Sequence, residues 1–158
     1  MFLRAIAAVT LLSLNGCSSS FDIRAFKHEG RVAFVAEEVG FWGQPACIRT
    51  VTVETDDARA KPADGDDTQL VAHGVFWWQS LRHGECQNKF PITYGVPLRG
   101  EPLVYETNAV PAAMRGQRVR WVSPKQLVRD VKYTINVTSG STAYGCGRFL
   151  ISKDGQVH

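Results

Sequence analysis

Leu127-Val-Arg-Asp-Val-Lys-Tyr133, running on into Thr134-Ile-Asn-Val137, decides how this chain folds. A leucine, a polar turn and a tyrosine at this spacing match the tyrosine corner, in which the phenol body fills the end of a β-sandwich and its hydroxyl bonds backbone upstream. Beyond the turn, Tyr133, Ile135 and Val137 point to one side, while Lys132, Thr134, Asn136 and Thr138 point to the other. A period of two with apolar and polar residues segregated is the pattern of a half-buried strand.

The same period extends outward. Val32, Phe34 and Ala36 alternate with Ala33, Val35 and Glu37; Cys47, Val51 and Val53 alternate with Ile48, Thr50, Thr52 and Glu54, with Arg49 a mismatch on the inner face. Leu70 to Gln79 is apolar on both sides and holds the adjacent Trp77 and Trp78, which predicts a central strand covered on each face. Shorter strands fit Phe90 to Tyr94, Leu103 to Thr107, Val119 to Val122 and Arg148 to Ser152, with Gly, Pro, Asn and Asp between them. The segment Ser123-Pro-Lys-Gln-Leu-Val128 allows one helical turn at most. The expected fold is therefore all-β, an antiparallel immunoglobulin- or fibronectin-like β-sandwich of about seven or eight strands.

Residues 1–16 read as a signal peptide: Arg4 followed by the short apolar run Ala5 to Leu14, too short to span a bilayer stably. The run ends in Leu14-Asn15-Gly16-Cys17, the shape of a bacterial lipobox, so cleavage before Cys17 and acylation of its thiol are expected. The Ser-rich and mixed stretch that follows makes 17–30 a lipidated tether, and 31–158 a single folded domain. Ser18 is similar to the residue that directs such proteins to the outer membrane, which puts the domain on the periplasmic side of the envelope.

Removing Arg4 with the signal leaves 17 Lys+Arg against 15 Asp+Glu. A balance this close to neutral does not suit nucleic acid as partner. At about 140 residues, cut from a sequence that is 44% hydrophobic overall, the mature chain suffices for one core. Three cysteines remain after Cys17, in a compartment that oxidises thiols, and one disulfide plus one spare thiol is the simplest count. Their settings favour Cys47 with Cys86 and leave Cys146, in Tyr144-Gly-Cys-Gly147, as the odd one, although either could pair with Cys146.

No set of residues converges on catalysis. The sequence holds no Gly-rich phosphate loop, no Gly-x-Ser-x-Gly elbow and no His-Glu-x-x-His helix. His83 and Cys86, with His73 on the preceding strand, have a spacing compatible with metal, but pairing of the cysteine would consume that ligand, and no metal or small-molecule cofactor is expected. Glu54, Asp56, Asp57, Asp64, Asp66 and Asp67 form an acidic loop without the ligand ladder of a calcium site. It suits a face offered to a basic partner, where charge steers encounter. Phe41 and Trp42, in the glycine-flanked turn Gly40-Phe-Trp-Gly43, are candidate anchors for the same partner, since Trp dominates interface energetics. Arg118 and Arg120 make a basic stripe, and Asn136-Val-Thr138 spells a glycosylation acceptor without meaning in a bacterial lipoprotein.

Taken together, the lipobox, Pro45-Ala-Cys-Ile48, the segment from Cys86 to Phe90-Pro-Ile-Thr-Tyr-Gly95, and the stretch from Val131-Lys-Tyr133 to Gly147-Arg-Phe-Leu-Ile-Ser-Lys-Asp-Gly-Gln156 carry a family resemblance. The chain resembles the small periplasmic lipoproteins labelled type VI secretion immunity proteins. That resemblance implies a protector that binds an envelope-targeting toxin and needs no turnover chemistry. Competing readings are a general envelope lipoprotein, acting as an assembly adaptor or a lysozyme inhibitor, and a metal- or histidine-dependent hydrolase using His73 and His83.

Overall fold

The structure, a computed structural model, describes residues 20–37, 45, 47–57, 60, 74–82, 87–103, 122–140 and 143–158. Seven strands follow in chain order: β1 (Phe21–His28), β2 (Arg31–Glu37), β3 (Ile48–Glu54), β4 (Val75–Ser80), β5 (Ile92–Thr93), β6 (Lys132–Ser139) and β7 (Ala143–Leu150). All seven join one sheet in the order β4-β3-β6-β7-β1-β2-β5, and the sheet curls into a half-barrel. The all-β class holds. The expected pair of antiparallel sheets does not: the strands form a single mixed sheet in which β1 runs parallel to β7, Phe21 beside Gly145 and Asp22 beside Cys146.

The parallel pair overturns the expected tether. Residues 21–28 alternate Phe21 and Ile23, buried, against Asp22 and Arg24, exposed, and a two-residue turn at Glu29 (φ 48°) and Gly30 (φ 78°) returns the chain into β2. Positive φ at both turn residues is what a tight hairpin between right-twisted strands requires.

Two bulges set which side chains face inward. Ile48 pairs with Ser139 and Thr50 with Thr138, so Arg49 is an extra residue in β3. The bulge turns Ile48 fully inward and sends the Arg49 guanidinium to the Gly140 carbonyl at 2.8 Å, which removes the mismatch seen in the alternation. In β4, Trp77 pairs with Val53 and Val75 with Glu54, leaving Phe76 as the inserted residue. Phe76 and Trp77 thereby both enter the core despite being adjacent. Trp78 lies on the outer face against Val75 and Val122.

Inside the curl, Tyr133 stacks on Phe149 at 5.3 Å between ring centres and meets Phe76 edge-on at 5.1 Å, while Phe34 reaches Phe149 from β2 at 5.4 Å. Each such aromatic pair adds about 0.5–1.5 kcal/mol beyond simple burial. The region expected as a central strand is the edge strand β4. Its open side is covered by single bridges from Trp78 to Val122 and from Leu81 to Pro102. Two buried amides hold the rest of that flank: Gln79 clamps the Leu98 amide and carbonyl at 2.8 and 3.1 Å, and Asn88 clamps those of Arg99 at 2.7 and 2.8 Å. Tyr94 then fastens one edge of the curl to the other, its hydroxyl donating to the carbonyls of Lys125 at 2.7 Å and Phe76 at 3.2 Å and its ring packing on Trp77.

The strand directions give the half-barrel two distinct ends. Ser20, Ile48, Ser139 and Ala143 lie at one, and His28, Glu54, Lys132 and Leu150 at the other. β1 covers the distance between them in eight residues, roughly 25 Å at the usual rise per residue.

Candidate functional site

Two chain turns meet at the His28 end. Thr55, just past β3, is almost fully buried: its hydroxyl donates to the Lys132 carbonyl at 2.7 Å and accepts the Asp57 amide at 3.1 Å. A threonine bonding the amide two residues on fixes the first turn of a loop, and here it also ties that loop to β6. Asp56 and Asp57, two of the acidic residues singled out from sequence, are thereby held beside the start of β6. Asp130 reaches the same place from the turn before β6, with its φ at 57° and its amide donating to the Ile151 carbonyl at 2.7 Å.

Between these turns lies an open groove of about 630 Å³, lined by Asp56, Asp57, Asp130, Lys132, Thr134 and Arg148 together with parts of Tyr133 and Leu150. Three carboxylates and two cations share it. Its electrostatics continue over the outer face of the sheet, where Asn136 donates to Glu54 at 2.8 Å and accepts from the Tyr144 hydroxyl at 2.5 Å. Burial, reinforced by the charge of Asp56, pushes the Glu54 carboxyl above its ordinary value, against the Asn136 hydrogen bond. Burial and then the Glu54 charge push the Tyr144 phenol up in turn. The amide of the glycosylation-like triplet is thus a link in this polar chain.

Such a groove can bind a ligand through charge and hydrogen bonding. Among the described residues there is no group of three or more His, Cys, Asp or Glu placed to hold a metal ion.

Of the expected partner-binding residues, the structure brings Asp56 and Asp57 into the groove, while Phe41, Trp42, Asp64, Asp66 and Asp67 lie outside the described residues, as do Cys17, Cys86, His73, His83, Arg118 and Arg120. Asp130, Lys132 and Arg148 were not anticipated there. Lys132 and Arg148 occupy outward positions of neighbouring strands on either side of the Lys132–Leu150 and Thr134–Arg148 register pairs, and only that pairing unites them with Asp56.

Cys47 and Cys146 are both disulfide-bonded, so Cys146 is not the spare thiol expected from sequence. They are not bonded to each other. The Cys47 carbonyl accepts the Gly140 amide at 3.1 Å, whereas Cys146 stands opposite Asn136, four residues along β6. That offset is about 13 Å along the strand, well beyond the 7 Å that a disulfide tolerates between α-carbons. Cys86, the expected partner of Cys47, lies outside the described residues.

No known family's model matches this chain, and no characterised protein or solved structure matches it either.

Proposed function

We propose that this chain is a lipoprotein anchored through Cys17 to a membrane facing the periplasm, where it binds a protein partner through the His28 end of its half-barrel. One observation carries the reading: β1 begins four residues after Cys17 and runs the length of the sheet to the same end of the half-barrel as the charged groove. A lipid at Cys17 would hold the Ser20 end against the bilayer and present Asp56, Asp57, Asp130 and Arg148 roughly 25 Å away from it. A mixed-charge groove on a rigid sheet suits recognition of a partner carrying basic side chains, because complementary charge sets encounter rate and specificity.

The partner class that fits the lipobox and the family resemblance is a toxin acting on the envelope, which makes the protein an immunity factor. Growth rescue tests this. Cells expressing an effector encoded beside this gene should survive when the chain is present, and Asp56→Lys with Asp57→Lys should remove protection without lowering the amount of folded protein. Absence of rescue against every such effector would refute the immunity reading, while leaving binding by the groove to be judged from partner capture.

A further inference from the structure

A second depression, of about 270 Å³, opens on the other side of the Arg129-Asp130 turn. Lys27, Arg31 and Arg129 surround it, and Leu127, Ile151 and Val157 contribute apolar lining. No described carboxylate lines it. This sets it apart from the mixed groove beside it.

The three cations come from separate elements: the end of β1, the start of β2 and the turn before β6. Some exposed bases elsewhere are paired, Arg24 with Glu37, Arg82 with Glu101 and Lys153 with Asp130. No described carboxylate lies within ion-pair distance of Lys27, Arg31 or Arg129. Of the nearby acids, Asp130 faces the other groove and pairs with Lys153, Asp154 is held by the Ser152 hydroxyl, and Glu29, in the turn between β1 and β2, is exposed and makes no ion pair with Lys27 or Arg31.

Lys27 makes only a long contact to the Gly155 carbonyl at 3.5 Å, and Arg129 spends one donor on the Lys153 carbonyl at 2.7 Å. A guanidinium has five donors and a lysine three, so most of their hydrogen-bonding capacity is left for a ligand. Gly30 and Gly155, both with positive φ, stand at the rim, and a β-carbon at either would meet nothing within 4 Å. The rim is therefore open.

We propose that this pocket binds a phosphate or carboxylate group carried on a small apolar body. Arginine forks match both anions in a bidentate manner. The apolar lining strengthens the charge interactions by lowering the local dielectric, and it accommodates the non-polar part of the ligand. The proposal does not depend on the lipid anchor or on the Asp56 groove.

Titration of the ¹⁵N-labelled full mature protein with inorganic phosphate, and separately with hexanoate, tests it by amide chemical shifts. Saturable shifts are expected at Gly30, Ile151 and Gly155. Tighter saturation by hexanoate would identify a carboxylate with an apolar tail, and tighter saturation by phosphate a phosphate group. Arg31→Gln and Arg129→Gln should each weaken binding about tenfold, the loss of one charged hydrogen bond; Arg82→Gln, at the opposite end, should leave it unchanged. Shifts that fail to saturate, or equal weakening by Arg82→Gln, would overturn the proposal.

Discussion

The Val128 amide donates to the Tyr133 hydroxyl at 2.8 Å, and that hydroxyl donates to the Val128 carbonyl at 3.3 Å. One phenol satisfies both backbone groups of a residue in the connection leading into β6, while its ring lies between Phe76 and Phe149. The corner thus couples the core to the turn that supplies Asp130 to the groove.

Tyr133→Phe keeps the ring and removes both hydrogen bonds. Leaving those groups without their partner should cost about 1–3 kcal/mol, measured as a lower urea midpoint with an unchanged slope. A midpoint equal to that of the unaltered protein would mean that water replaces the hydroxyl at no cost.

Much of this architecture is legible in the sequence, and the failures have physical causes. The alternation over Tyr133, Ile135 and Val137 and the corner hydroxyl are both found as expected, because local spacing alone determines them. β1 was hidden because Asp22, Arg24 and Lys27 make Phe21–His28 read as tether, and because its parallel neighbour β7 is more than a hundred residues away. Arg49 and Phe76 defeat the period-two reading since a single inserted residue reverses which face every later side chain takes. The groove shows both limits. Asp56 and Asp57 stand out as local charge, but Asp130, Lys132 and Arg148 join them only through strand pairing.

The parallel contact of β1 with β7 depends on two glycines. A β-carbon at Gly147 would run into the Ile23 carbonyl, and one at Gly145 into the Phe21 ring. The first obstacle is backbone, which cannot swing aside as a side chain can. Gly147→Ala should therefore destabilise by about 1–3 kcal/mol, as overpacking does, and should speed amide exchange in β1 more than in β3. Uniform exchange across the sheet would show that the β1–β7 seam is not the place where the strain falls.

Stability should respond to pH through Glu54. Burial and Asp56 raise its pKa in the folded state, so the folded protein holds this proton more tightly than the unfolded chain does. Its contribution favours folding below the unfolded value near 4.3 and is lost as pH rises through the folded value. Glu54→Gln retains an acceptor for the Asn136 amide and removes the charge. The variant should be the more stable at pH 7, with the advantage fading under acidic conditions. An advantage independent of pH would assign the effect to packing.

Acylation and sulfur pairing compete for the same atoms. The chain has four cysteines; a thioether at Cys17 leaves three, so of Cys47 and Cys146, both paired in the structure and not with each other, one would have to give up its disulfide. Protein extracted from membranes after labelling with radioactive palmitate should carry label that Cys17→Ala abolishes, and alkylation without reduction should find one free thiol per chain. Unlabelled protein without any free thiol would replace the lipoprotein reading with a two-disulfide secreted domain.

The most direct measurement of the central claim is site-specific photocrosslinking in intact cells. A photoreactive residue at Asp56 or Arg148, in the groove, should capture one discrete protein, with capture lost after charge reversal at Asp57; the same residue at Arg82 or Lys89, toward the Ser20 end, should not. Equal capture from both ends, or capture from the groove that survives reversal at Asp57, would contradict binding through the His28 end.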